Sequence, residues 1–248
     1  MIRRMMEILF RKKVIKRSIM LKGEIVPICV SPDSQLKYLK KSGSWDQDLI
    51  NLASTQINIG DEVWDIVANV GVFSFAAAVA SKSGRVLAFE PDSFLVDVMR
   101  SSINLNHLQN VCIIPVAISE KNGFAEFQVA KRGRASNCLT EAGGRSQMGG
   151  VRYTQIVPTL SGDTISQNFK SVPKFVKIDV EGAELFVLRG LANLLKQHKP
   201  KIYIEVSSNT KSEVASILQD LGYSAVDIDF SDRLSGDFLF VPGNEISA

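Results

Sequence analysis

Short apolar runs alternate with helical patterns from residue 62 to residue 221. Each run is mostly apolar along its length, which is typical of parallel strands that are buried on both faces. The runs predict strands at residues 62–68, 85–89, 111–118, 174–180 and 201–206. The intervals predict helices at residues 70–81, 93–106, 182–198 and 211–221. This alternation predicts an α/β fold with a doubly wound, mostly parallel sheet.

Two further patterns depart from the alternation. Residues 224–230 and 237–241 predict a terminal antiparallel hairpin, which such a sheet accepts at its edge. Residues 124–130 and 151–160 also have strand character, and the loop between them is rich in glycine and arginine. Its arginines either bind an anionic substrate or belong to a solvated loop. They are Arg132, Arg134, Arg145 and Arg152.

The first 60 residues follow a different pattern. They predict a short helix at residues 2–9, an edge strand at 24–30 that contains Pro27, and a helix at 45–53. We therefore expect residues 1–60 to form an N-terminal extension and a preamble to the sheet. Residues 61–248 then form the single large domain that a chain of 248 residues can supply.

Charge and cysteine content bear on the cellular compartment and the partners of the protein. The formal net charge is only +3, but residues 1–22 hold eight Lys and Arg against one Glu. A short basic amphipathic helix of this kind can make weak contact with an anionic membrane, or it can be an ordinary solvated helix. No apolar run approaches the roughly 20 residues that span a bilayer. Three widely spaced cysteines suit free thiols, so we expect a cytoplasmic protein. We also expect no nucleic-acid partner.

The first candidate site is the turn after the predicted strand at 62–68. An apolar strand that contains Asp65 leads into a small-residue turn with Gly71 and then into an alanine-rich helix, an arrangement that places a ligand across the turn. Glu90 ends the next strand, where a carboxylate can accept both hydroxyls of a ribose in NAD, FAD or S-adenosylmethionine. The single glycine favours a ligand without a diphosphate. Alternatively, both acids are ordinary polar residues at strand ends.

A second set of acids follows the strand at 174–180. This strand should lie beside the first, so Asp179 and Glu181 should reach the ligand turn. Paired carboxylates there can accept a proton, orient an acceptor or hold a divalent cation. Glu181 can instead cap the next helix. Glu205, at the end of the strand at 201–206, completes an acidic rim or is a solvated strand end.

These motifs resemble those of the FkbM-type methyltransferases. The resemblance covers residues 62–206 and is most specific at Lys177-Ile178-Asp179-Val180-Glu181-Gly182-Ala183-Glu184. It implies a class I, Rossmann-like fold with a seven-stranded sheet whose last strand is antiparallel. It also implies S-adenosylmethionine as cofactor and O-methylation of a hydroxyl on a sugar, a polyketide or another small molecule or glycan. By the same motifs, Asp179 and Glu181 face the reacting centre, and the cofactor is held by Asp65, Asn69, Gly71 and Glu90.

Val67 departs from the pattern of the family, which ordinarily has glycine two residues after the acid of the first strand. The turn can relax to negative φ and shift its N–H groups, or it can keep a left-handed Val67 whose methyls crowd the cofactor. Either outcome should weaken cofactor binding. A non-catalytic or weakly active binding protein is therefore the alternative function, and a nicotinamide-dependent oxidoreductase is the third.

Overall fold

A seven-stranded sheet, a four-stranded sheet, a two-stranded hairpin and a set of surrounding helices form the fold. The computed structural model describes residues 2–40, 45–143, 149–226 and 230–243. The helices are α1 (Ile2–Leu9), α2 (Gln47–Gln56), α3 (Val72–Ser81), α4 (Ser93–Asn106), α5 (Gly162–Phe169), α6 (Glu184–Gly190), α7 (Ala192–His198) and α8 (Lys211–Asp220). The strands are β1 (Ile15–Leu21), β2 (Glu24–Val30), β3 (Val63–Ile66), β4 (Val86–Phe89), β5 (Val111–Ile114), β6 (Ala117–Ile118), β7 (Gly123–Ala130), β8 (Cys138–Leu139), β9 (Val151–Leu160), β10 (Phe175–Ile178), β11 (Lys201–Val206), β12 (Tyr223–Ala225) and β13 (Gly236–Pro242).

The central sheet has seven strands in the order β12-β13-β11-β10-β3-β4-β5. The pairs β11-β10, β10-β3, β3-β4 and β4-β5 are parallel, whereas β13 is antiparallel to both of its neighbours. All four residues of β3, β4 and β10 are buried, as expected for strands covered by helices on both faces. The predicted α/β fold with a mostly parallel seven-stranded sheet and a terminal antiparallel hairpin is confirmed. Of the predicted hairpin strand at 224–230, residues 227–229 lie outside the described residues.

A second sheet has four strands in the order β6-β9-β7-β8. Its first strand lies within a segment that was wrongly predicted as a single strand. The expected strand at 111–118 is two strands, because β5 ends at Ile114 and β6 leaves the central sheet to pair with β9. Pro115 lies at the break and has no N–H to donate to a ladder. The predicted strands at 124–130 and 151–160 are β7 and β9, which pair antiparallel in this sheet.

The expected helix at 182–198 is likewise divided, into α6 and α7. The division follows Gly190, where a Cβ would lie only 2.1 Å from the backbone oxygen of Ser119. The helix therefore passes too close to the connection after β6 for any larger residue.

The N-terminal segment contains a strand that the charge pattern concealed. Residues 15–21 form β1, which pairs with β2 in a hairpin. Ile19 and Leu21 are buried in the same core cluster as Phe73 and Met99, while the alternate positions of β1 are exposed. The alternation has the strand period of two, but the basic residues dominate its composition. In the described ranges, no helix is long and apolar enough to cross a bilayer.

Candidate functional site

The turn between β3 and α3 has three residues with left-handed backbone. The φ angles are +62° at Val67, +57° at Asn69 and +86° at Gly71. The turn is tied to the neighbouring strand, because the Ala68 N–H donates to the Phe89 carbonyl at 3.0 Å. Val67 therefore keeps the left-handed shape rather than relaxing to negative φ. This conformation costs an ordinary L-residue roughly 1–2 kcal/mol and a β-branched residue more.

Glu90 braces this turn from the end of β4. One carboxylate oxygen accepts the Asn69 N–H at 2.8 Å, and the other accepts the Asp92 N–H at 2.8 Å. The residue is only 1% exposed. Burial, and next the negative charge of Asp92, raise the pKa of Glu90 to about 8. The acid expected to hold a ribose thus faces backbone groups of the protein itself.

A buried lysine joins two of the predicted site acids. Lys177 Nζ lies 3.1 Å from Asp65 Oδ1 and 3.4 Å from Asp179 Oδ2, and the other Asp65 oxygen accepts the Ser74 hydroxyl at 2.6 Å. Burial disfavours the charged lysine, but the negative charges of Asp65 and then Asp179 outweigh burial and raise the pKa of Lys177. Asp65 is fully buried, whereas the Asp179 side chain is 41% exposed. Of these three linked side chains, Asp179 is thus the one that reaches solvent.

The other two predicted acids lie near Asp179. Glu181 is half-buried between β10 and α6, beside Gly182, where a Cβ would lie 2.9 Å from the Ala142 carbonyl oxygen. Glu205 is half-buried on β11, next to β10, and pairs in register with Asp237 of β13. Over the described residues, no group of three or more His, Cys, Asp or Glu is arranged to hold a metal ion.

Residues 34–40, 45 and 46 of the preamble form a cover over the turn. The Ser34 hydroxyl donates to Asn69 Oδ1 at 2.5 Å. The Tyr38 hydroxyl donates to Asp46 Oδ2 at 3.0 Å, and Lys37 pairs with the same carboxylate. Between this cover and the turn lies a cavity of about 60 Å³, whose lining includes Gln35, Asn69 and Asp179. The preamble is therefore part of the site.

An ionic cluster, formed by Asp33, Asp92, Arg134 and Arg152, ties the residue that precedes the cover to the seven-stranded and four-stranded sheets. Arg134 Nε lies 2.9 Å from Asp33 Oδ2, and Arg134 Nη1 lies 2.5 Å from Asp92 Oδ2. Arg152 Nη2 lies 2.8 Å from Asp33 Oδ1. The arginine guanidinium groups lower the pKa of Asp33 against the effect of its burial.

This cluster shows the environment of two of the four arginines around the glycine-rich loop. Arg134 is buried, Arg152 is half-buried, and both form ion pairs with Asp33, so neither belongs to a solvated loop. Arg132 is exposed, and Arg145 lies outside the described residues. Sequence reasoning missed Lys177, Asp33 and Asp92 as parts of the site. Only Asp92 had a local signal, since it precedes α4 and accepts the Phe94 N–H at its start.

The residue types at the turn suit S-adenosylmethionine, but the cavity there is too small for it. Glu90 has the right type and position for ribose hydroxyls, and the turn is of the right kind. However, Glu90 is 1% exposed, and the cavity at the turn is about 60 Å³, whereas sites for ligands of this size are usually about 300–1,000 Å³. In this conformation the cover closes the space that the cofactor needs.

Comparisons with known proteins give consistent matches. The family model described as the methyltransferase FkbM domain matches residues 65–225. Hexuronic acid methyltransferase AglP of Haloferax volcanii is 29% identical over 154 residues, which are 61% of this chain and 58% of that protein. Methyltransferase sdnD of Sordaria araneosa is 23% identical over 210 residues, which cover 71% of this chain and 76% of that protein. The crystal structure of methyltransferase FkbM from Methylobacillus flagellatus has a TM-score of 0.49 at 18% identity, with 73% of this chain and 43% of that chain covered.

Proposed function

Because the chain belongs to the FkbM methyltransferase family, we propose that it transfers a methyl group from S-adenosylmethionine to a hydroxyl of a sugar or a related small molecule. The hexuronic acid methyltransferase among its relatives supports a sugar as the acceptor. This chain spans 58% of the length of that relative, so the acceptor is part of the proposal. S-adenosylmethionine supplies the methyl group, and the protein aligns the reactants and removes the hydroxyl proton.

The observation that carries this proposal is the pair of ionic contacts that Lys177 makes with Asp65 and Asp179 beside the turn. Asp179 lies one residue beyond β10 and lines the cavity at the turn. Its carboxylate, 3.4 Å from the Lys177 ammonium, accepts the proton of the acceptor hydroxyl. Asp65 holds Lys177 in place from behind. Glu181 assists at the reacting centre, and Glu205 contributes to the acidic rim.

The cofactor contacts are also proposed. Each Glu90 oxygen accepts one backbone N–H and keeps a second lone pair for a ribose hydroxyl. Asn69, Gly71 and Val67 bring backbone groups of the turn to the ligand. Asp65 has no exposed surface, so we assign its contribution to the shape of the turn through Ser74 and Lys177.

Calorimetry with S-adenosylmethionine, S-adenosylhomocysteine and NAD separates this function from its rivals. We expect binding of the first two ligands and none of NAD. Binding of NAD alone would favour the oxidoreductase, and binding of none would favour the non-catalytic protein. The same titration with Asp97→Asn, a change at a 71% exposed carboxylate on α4, is the control for general effects of charge.

The role of Asp179 is tested by Asp179→Asn. Methyl transfer from labelled S-adenosylmethionine to D-glucuronic acid should fall by roughly 10²–10⁴-fold, because the variant loses the base. The affinity for S-adenosylhomocysteine should change little. Full turnover in the variant would remove Asp179 from the role of base.

A further inference from the structure

A second cavity lies on the outer side of the cover. It has a volume of about 480 Å³, and its lining includes Arg3 of α1, Lys37 of the cover and Arg132. Gln35 lines both this cavity and the smaller one at the turn, and Ser34, which bonds Asn69, lines the larger one. Gln35 therefore lies between the outer cavity and the cavity that Asp179 lines.

The outer cavity is basic. Three of its described lining residues are cations, and no described lining residue is Asp or Glu. A neighbouring cavity of about 630 Å³ shares Arg3 and Arg132 and adds Arg11 and Lys131, against one acid, Glu7. The two cavities thus form one concave surface with an excess of positive charge, which attracts anionic ligands.

Arg132 is the cation best placed to bind a ligand there. Arg3 pairs with Glu7 at 3.0 Å, and Lys37 pairs with Asp46. By contrast, the Arg132 guanidinium makes no ion pair or hydrogen bond with any residue in the described part of the chain. A guanidinium offers paired donors that match the two oxygens of a carboxylate or phosphate.

Backbone packing holds Arg132 beside the cover. A Cβ on Gly133 would lie 2.6 Å from the Ser34 backbone oxygen, so the two segments touch backbone to backbone. A Cβ on Gly149 would lie 2.4 Å from Cγ of Arg132, so the stem of this arginine also packs closely against the backbone. The charged end is thereby presented at the cavity while the stem is confined.

We propose that this cavity binds the negatively charged group of an anionic sugar, and that Arg132 selects for that charge. The sugar ring then extends past Gln35 with its reacting hydroxyl toward Asp179. The acceptor is accordingly a saccharide that carries a carboxylate or a phosphate. This inference rests on the proposed function for its reacting hydroxyl, whereas the selection of charge depends on the cavity alone.

The test is a ligand-observed NMR titration of the full chain with D-glucuronate, D-glucose 6-phosphate and D-glucose. At least one anionic sugar should bind about tenfold more tightly than glucose, which is about 1.4 kcal/mol. Arg132→Gln should abolish this preference and leave glucose binding unchanged. Arg100→Gln, which removes the same charge from an exposed site on α4, should preserve the preference.

The arms of the titration also identify the source of the charge. Tighter binding of glucuronate points to a uronic acid, and tighter binding of glucose 6-phosphate points to a sugar phosphate. Equal affinity for all three sugars, or a charge preference that survives in Arg132→Gln, would overturn the proposal. Calorimetry with S-adenosylhomocysteine on the same samples tests the proposed function separately, because its failure leaves the charge preference intact.

Discussion

Glu90 should make the stability of the fold depend on pH in an unusual direction. Most paired carboxylates stabilise a protein as the pH rises, because their pKa is lower in the folded state. Burial raises the pKa of Glu90 from its ordinary 4.5 to about 8, so folding favours the protonated form. The contribution of Glu90 is fully present below about pH 4.5 and is lost as the pH rises through about 8.

The size of this effect follows from the difference between the two pKa values. At 1.36 kcal/mol for each pKa unit, the change from 4.5 to about 8 corresponds to roughly 3–5 kcal/mol. The Glu90 side chain is enclosed, so solvent does not screen this energy. Other groups titrate in the same range, and a variant that cannot ionise at this position separates their effects from that of Glu90.

The assay is urea unfolding of the wild-type chain, Glu90→Gln and Glu126→Gln at pH 5, 7 and 9. Glu126 is exposed on β7 and serves as the matched control. Relative to the wild type, Glu90→Gln should gain roughly 3–5 kcal/mol in free energy of unfolding between pH 5 and pH 9, whereas Glu126→Gln should gain nothing. A difference between wild type and Glu90→Gln that is constant across this range would refute the reasoning.

Three further predictions concern the turn, the ionic cluster and α1. Val67→Gly should tighten S-adenosylhomocysteine binding at least about tenfold in calorimetry, because glycine adopts φ +62° without strain; equal or weaker binding would contradict this. Arg134→Met should lower the free energy of unfolding by about 3–5 kcal/mol, because Asp92 stays buried without its cation, and a loss under about 1 kcal/mol would argue against it. Deletion of residues 2–9 should leave the thermal unfolding midpoint unchanged, since Met5, Ile8 and Leu9 are exposed, but should reduce co-sedimentation with anionic vesicles. Equal sedimentation of both proteins would end the membrane proposal.

The central sheet could be predicted because its signals are local. Strands such as β3 and β4 are apolar at every position except Asp65, and the turns and helices between strands carry their own residue patterns. The acids near the carboxyl ends of β4 and β10 could also be found, because parallel strands bring those ends to one edge. The central sheet and these acids thus follow from patterns that span fewer than about 20 residues at a time.

The cover and the ionic cluster could not be predicted in the same way. Arg134 and Asp33 are 101 residues apart in the chain, and neither has a neighbour that signals the pairing. A buried arginine in a glycine-rich segment has the local composition of a solvated loop. β1 was concealed similarly, because its basic residues masked an alternation that only the core contacts of Ile19 and Leu21 make visible.

The place of β13 has a consequence for the synthesis of the protein. β11 has β10 on one side, and its other side is paired only when β13 arrives, with Ile202 opposite Phe240 and Val206 opposite Gly236. A nascent chain that has not yet delivered residues 236–242 therefore presents an open strand edge beside an unfinished core. Such edges recruit other chains, so ribosome pausing before this point should increase aggregation and the demand for chaperones.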